Sequence, residues 1–90
     1  MLKVQRTANA EKVLFVVSGR LEAGSLRELA ALLALESSDR AVTLELHDLD
    51  LVDRDAVDFL RACEGQGIML RNCPAYIRTW MASDRGSGAN

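Results

Sequence analysis

The sequence is poor in several residue types, and each scarcity excludes a class of protein. It has one proline, one histidine and two cysteines in 90 residues, so it is neither a proline-rich disordered segment nor a disulfide scaffold. Lysine occurs only at Lys3 and Lys12, and the scattered basic residues do not form the cluster that binds nucleic acid. No apolar run is long enough to span a bilayer and no signal-like apolar core begins the chain, so we expect a cytoplasmic protein without direct membrane insertion.

The remaining composition is that of an ordinary globular domain. Hydrophobic residues make up 49% of the chain, charged residues make up 27%, and the formal net charge is −2. This length suits a single domain, which we expect at residues 1–82, followed by a polar, flexible C-terminal tail at 83–90. A chain this short has little room for a deep catalytic cavity unless two copies pair as a homodimer.

The hydrophobic pattern predicts strands that are separated by helices after an opening hairpin. The apolar run at 13–17 suits a strand that is covered on both faces, and the glycines at 65 and 67 are typical of a left-handed helix end. The order β-β-α-β-α-β-α predicts a small α/β domain, with an about four-stranded mixed, mostly parallel sheet and helices mainly on one face. The expected elements are strands at 2–7, 13–17, 42–46 and 68–71, and helices from Ser25, from Asp55 and from Pro74 with Cys73 as its cap.

The junction after the third strand is the most informative segment. Residues 42 to 46 alternate between apolar and polar, as in a strand with one buried face. The alternation ends near Asp48 and helical spacing follows. Asp53 or Asp55 can serve as the N-cap of that helix, because a short carboxylate accepts hydrogen bonds from the unpaired amides of a first turn.

The order and spacing of these segments resemble the STAS domains of anti-sigma factor antagonists and sulfate-transporter tails. Members of that family read as a strand ending in Ser-Gly-x-Leu-(Asp/Glu), a leucine-spaced helix, a Val-x-Leu-(Asp/Asn)-Leu strand, an Asp-Ser-Ser-Gly loop, a helix, a short strand and a Pro-initiated helix. The resemblance covers roughly residues 12–82. The matching segments are Val16-Val-Ser-Gly-Arg-Leu-Glu22, Leu26 to Leu33, Val42-Thr-Leu-Glu-Leu46, Asp53-Arg-Asp-Ala56, Ile68-Met-Leu-Arg71 and Cys73-Pro74.

The resemblance implies a docking site for a partner protein in the loop and helix around residues 48–64. In the family, the second serine of Asp-Ser-Ser-Gly is the kinase target, and its position matches Asp55, so serine phosphorylation cannot switch this chain there. The helix is also shorter than is usual in the family. The implied partner-binding residues are Asp53, Arg54, Asp55, Ala56, Val57, Asp58 and Arg61, of which Val57, Asp58 and Arg61 are expected on the exposed side of the helix.

Two interpretations of Asp55 are compatible with each other. As an N-cap, its carboxylate would stabilise the helix start by about 0.5–2 kcal/mol. As a permanent mimic of phosphoserine, it would reproduce that group only in part, since a phosphate carries about −1.5 to −2 charge and three acceptor oxygens.

The segment 48–58 also raises a rival hypothesis of ion binding. Five aspartates against one arginine give it a formal charge of −4, which suits a divalent-ion or phosphoacceptor module. A solvated acidic rim is the simpler interpretation, and we predict no metal and no cofactor. Weak nucleotide binding near Gly19 and Asp53 stays open.

We predict that the protein is not an enzyme and has no catalytic residues. His47, the single histidine, falls on the polar face of its strand, and no nucleophile is visibly paired with a base. Cys63 and Cys73 match no common zinc spacing, so they are expected to be reduced, mostly buried thiols.

Two functions in different classes fit these observations. The first is a regulatory domain resembling an anti-sigma factor antagonist, which binds an anti-sigma factor or a serine switch kinase. The second is the small cytoplasmic STAS subunit of a membrane transport assembly for lipids or anions.

Overall fold

The computed structural model describes residues 2–36 and 39–88, with side chains as far as Ala82. The elements are β1 (Leu2–Ala8), β2 (Lys12–Leu21), α1 (Ala23–Ala34), β3 (Ala41–Glu45), β4 (Leu49–Val52), α2 (Arg54–Gly65), β5 (Met69–Arg71) and α3 (Ala75–Gly88). The expected tail at 83–90 overlaps the end of α3, and residues 89 and 90 lie outside the described residues. None of the helices in these ranges combines the length and the apolar content that crossing a bilayer requires.

The central strand of the sheet is β2. β1 runs antiparallel to it on one side, whereas β3 and β4 lie parallel to its first and second halves on the other side. β5 runs parallel to β3 at the far edge. The mixed, mostly parallel sheet is therefore confirmed, but the described residues form five strands rather than four.

The additional strand is β4, which hydrophobic periodicity does not reveal. Its first and last residues, Leu49 and Val52, are buried, whereas the two between them are exposed, so its side chains do not alternate. The strand forms because β2 has ten residues and β3 has five. Backbone groups in the second half of β2 therefore need other partners, and β4 pairs with Gly19–Leu21.

One face of the sheet carries the helices and the hydrophobic core, as predicted. On β2 the core side chains are Val13, Phe15 and Val17, all fully buried. The prediction that this strand is covered on both faces is wrong, because Leu14 and Val16 are only half-buried on the opposite face. The described helices all belong to the same layer, so neighbouring strands alone shield that second face, which we call the open face.

Local side chains and glycines fix the turns. The side-chain oxygen of Asn9 accepts hydrogen bonds from the backbone N–H groups of Glu11 and Lys12, both at 2.8 Å, and closes the β1–β2 hairpin. At the end of α2, Gly67 has a φ of 94°, and the N–H of Ile68 donates to the carbonyl of Cys63. This is the predicted left-handed glycine end.

The start of α3 differs by one residue from the prediction. The carbonyl of Pro74 accepts hydrogen bonds from Ile77 and Arg78, so Pro74 occupies the cap position that the sequence assigned to Cys73. The helix then buries Ile77 and Met81 against the core, whereas Arg78 and Thr79 are exposed.

Candidate functional site

Asp53 connects the two helices that begin at the carboxyl ends of β2 and β4. Its Oδ1 accepts the N–H of Ala56 at 2.8 Å, which caps α2, and its Oδ2 accepts the N–H of Ala23 at 2.9 Å, at the start of α1. The N-cap of α1, Glu22, makes no side-chain capping bond itself. A single carboxylate thus satisfies unpaired amides of two helices, where their positive dipole ends also favour it.

The N-cap of α2 is Asp53, and the alternative interpretation that Asp55 caps the helix is wrong. Asp55 lies inside the first turn and is exposed. Its charge still interacts favourably with the helix start. The capping carboxylate is that of Asp53, and the side chain of Asp55 is left exposed.

Two residues in the expected docking set are inaccessible. Ala56 and Val57 have no exposed surface and belong to the hydrophobic core. Val57 was expected on the exposed side of the helix. It lies instead on the buried side of α2, which comprises Ala56, Val57, Leu60 and Cys63. Neither residue can contact a partner while the domain is folded.

The accessible part of the expected docking set is charged. Arg54, Asp55 and Asp58 are exposed, and Arg61 is partly exposed. The guanidinium of Arg61 lies 3.8 Å from the carboxylate of Asp58, one helical turn earlier, which is a weak surface ion pair. The start of α2 therefore presents alternating charges on a backbone that Asp53 holds in place.

The aspartates of the segment 48–58 have different surroundings and do not form one cluster. The carboxylate of Asp48 contacts the Nδ1 atom of His47 at 2.9 Å, with both side chains largely exposed. Asp53 is engaged by two backbone amides, and Asp55 and Asp58 lie on the exposed side of α2. Among the described residues, no three acidic, histidine or cysteine side chains converge in a group that could hold a metal ion.

Tyr76 adds an aromatic side chain beside this edge. Its hydroxyl donates to the backbone carbonyl of Asp50 at 3.4 Å, and its side chain is half exposed, as is that of Leu51. Partial burial and then the carboxylate of Asp50 raise the pKa of the Tyr76 phenol. Tyr76 lies off the stripe of Ile77 and Met81 that packs on the core, and that offset is the signal of its exposure.

The two cysteines are free thiols, as predicted. Burial raises the pKa of the Cys63 thiol from 9.0 to about 11. Burial also raises the pKa of Cys73, and the nearby Arg78 partly offsets that effect. Both thiols are protonated at neutral pH and are weak nucleophiles in that form.

We expect Cys73 to react with a thiol reagent at least about tenfold faster than Cys63 in the folded protein, because Cys73 is only half-buried. The measurement is alkylation at pH 8 followed by mass spectrometry. The Cys73→Ser variant is the control, and it should lose the fast phase and keep one thiol that reacts only in denaturant. A fast phase that survives in this variant would contradict the burial of Cys63.

The comparisons with known proteins concern only the architecture. Neither a family model nor a curated protein matches the sequence. Among solved structures, the chain is similar to an uncharacterized protein from the DUF3478 family with a SpoIIAA-like fold, from Shewanella loihica PV-4. The match has 14% sequence identity and a TM-score of 0.49, and it covers 78% of this chain and 68% of that one. A likeness at this level carries no information on a ligand or a partner.

Apart from the additional strand β4, the order of elements from β2 to α3, with the helices on one face, agrees with the STAS-like fold that the sequence resemblance implies. The match between Asp55 and a phosphorylated serine stays a prediction from that resemblance.

Proposed function

We propose that this chain is a non-enzymatic interaction domain that binds a regulatory protein, an anti-sigma factor or a serine switch kinase, through the start of α2. The supporting observation is that two neighbouring carboxylates have different roles. Asp53 is engaged internally by the amides of Ala23 and Ala56, whereas Asp55 is exposed on the rigid turn that Asp53 creates. A fixed, charged helix start is suited to recognition.

The proposed contact set is smaller than the one the sequence predicts. It comprises Arg54, Asp55, Asp58 and Arg61 on α2. Tyr76, whose hydroxyl bonds to the backbone of Asp50 in β4, offers an aromatic side chain of the kind that is enriched at interfaces. Asp53 is a positioning residue. Ala56 and Val57 support the surface from the core.

The surroundings of the reactive side chains support a role without catalysis. The imidazole of His47 contacts only the carboxylate of Asp48 among the described side chains, in an exposed turn. Cys63 is buried with its thiol pKa raised to about 11. General-base or nucleophilic chemistry requires a base within hydrogen-bond reach of a nucleophile, and neither side chain offers that arrangement.

The proposal is tested with a purified partner that is chosen from genes adjacent to this one, by isothermal titration calorimetry. We expect Asp55→Arg to weaken binding at least about tenfold, because it reverses a charge at the centre of the contact set. Glu28→Arg is the matched control, since Glu28 is exposed on α1, and it should leave the affinity within about twofold.

The phosphoserine interpretation has its own readout in the same titration. If Asp55 mimics the phosphorylated state, Asp55→Ser should bind a kinase-type anti-sigma factor more tightly than the wild type does. Unchanged binding in both Asp55 variants would overturn the proposed site. Specific binding to a permease or a transport ATPase instead would assign the chain to a transport assembly.

A further inference from the structure

The open face of the sheet carries a net positive charge, whereas the rest of the molecule is negative. Among the described strand residues that have a register partner, four cationic side chains and one carboxylate lie on this face, whereas Asp50, in the irregular part of β4, has no register partner. That is a formal charge of +3 on one face of a chain whose net charge is −2, which leaves −5 for the rest of the sequence. These residues are Lys3, Lys12, Arg20, Arg71 and Glu45.

The single carboxylate of the open face is already occupied. Glu45 accepts hydrogen bonds from the side-chain amide of Asn72 at 3.0 Å and lies 3.2 Å from the guanidinium of Arg71. Among the described residues, no carboxylate forms an ion pair with Lys3, Lys12 or Arg20. The field of this face is therefore positive and is not neutralised within the described chain.

A groove of about 380 Å³ crosses the open face beside the hairpin turn. Half-buried Leu14 and exposed Met69 provide its apolar surface, and the longer side chains of Lys12 and Arg71 flank it. Thr7 and Thr43 also line it. An apolar centre with a charged rim is the usual anatomy of a protein-binding surface.

We propose that this groove binds an acidic amphipathic segment of a partner protein, with its apolar side chains against Leu14 and Met69 and its carboxylates toward Lys12 and Arg71. The surface is separate from the start of α2, so the proposal does not depend on the function proposed above. Attraction between opposite charges favours an acidic occupant, whereas repulsion between like charges opposes face-to-face pairing of two copies of this chain.

Two other anionic occupants fit the surface less well. Sheet surfaces that bind single-stranded nucleic acid stack bases on aromatic side chains, and no aromatic residue lies on the open face of the described strands. A bilayer fits less well because interfacial binding needs a large apolar face, and this groove offers little apolar side-chain surface beyond Leu14 and Met69.

The probe is a synthetic helical peptide of about 15 residues, with leucines at helical spacing and glutamates beside them. The matched peptide has lysine in place of each glutamate. In a titration of the full chain followed by amide chemical shifts, we expect the glutamate peptide to produce saturable shifts at Leu14, Thr43 and Met69. The lysine peptide should produce none.

Charge reversal in the groove locates the effect. Lys12→Glu should weaken binding of the glutamate peptide about tenfold, because it turns an attraction into a repulsion. Arg27→Glu changes the net charge equally on the helix layer, where Arg27 is exposed on α1, and should leave the affinity within about twofold. Met69→Asp is the second groove variant, and the domain should still fold because Met69 is exposed.

Several outcomes would overturn the proposal. They are the absence of binding at millimolar peptide, equal binding of both peptides, equal losses in Lys12→Glu and Arg27→Glu, and shifts confined to the start of α2. Tighter binding through the same face to phosphatidylglycerol vesicles or to single-stranded DNA would also overturn it, because each of these identifies a different occupant.

Discussion

Replacing Asp53 by alanine is expected to destabilise the protein by about 2–3 kcal/mol, because one carboxylate serves two helix starts. Loss of the cap on α2 alone costs about 0.5–2 kcal/mol. The hydrogen bond from the N–H of Ala23 to a charged acceptor adds to this cost, although water can replace it at the exposed Ala23. Urea unfolding followed by circular dichroism measures the change.

Two variants distinguish the loss of the helix cap from the loss of a negative charge. Asp55→Ala removes the same charge from the same helical turn without removing a cap, and we expect it to cost about 0.5 kcal/mol. Asp53→Asn retains one side-chain oxygen as an acceptor and should lose about half of what Asp53→Ala loses. Equal destabilisation by Asp53→Ala and Asp55→Ala would show that the cap has been assigned to the wrong residue.

The second large effect is expected from Val57→Asp, which should leave the domain mostly unfolded. Val57 has no exposed surface, and an unpaired carboxylate in the core costs several kcal/mol. Small domains have a free energy of unfolding of about 5–15 kcal/mol, with the smallest domains at the low end. The amide spectrum of the variant should collapse to the narrow dispersion of an unfolded chain.

The neighbouring position gives the control. Asp58→Ala changes an exposed side chain on the same helix and should alter stability by no more than about 0.5 kcal/mol. Val57→Ala should fold with a loss of about 2 kcal/mol, since it removes buried methyl groups. A folded Val57→Asp protein that has lost only its partner would instead support the docking role that the sequence assigned to Val57.

The elements with a clear period could be predicted from sequence. The helix α2 and its glycine end follow from apolar spacing and from the turn at Gly65 to Gly67. Helices on one face and the mixed sheet follow from the order of strands and helices. In each case the local pattern and the tertiary structure favour the same answer.

The features that sequence did not reveal depend on distant neighbours. β4 exists because the second half of β2 requires partners, and no local pattern contains that requirement. The choice of Asp53 over Asp55 as the cap depends on the amide of Ala23, which lies 30 residues away in the sequence. Val57 belongs to the core because the buried side of α2 comprises Ala56, Val57, Leu60 and Cys63, whereas the family resemblance implies that Val57 is exposed.

The docking role of the segment 48–64 stays a prediction from the resemblance, and the structure removes Ala56 and Val57 from the residues that could contact a partner. The expected acidic edge does lie at the junction of β4 and α2, with Asp55 and Asp58 exposed. The open face and its charge were missed, because Lys3, Arg20 and Arg71 are far apart in sequence and become neighbours only through strand pairing.

The length of β2 determines how cooperatively the domain unfolds. Among the strands that the structure describes, β1 and β4 each pair only with β2, and β3 has β5 as its other partner. A chain cut inside β2 would leave neither fragment with a complete sheet, so we expect neither fragment to fold by itself. Melting should accordingly be a single cooperative event, with no partly assembled species accumulating on the way.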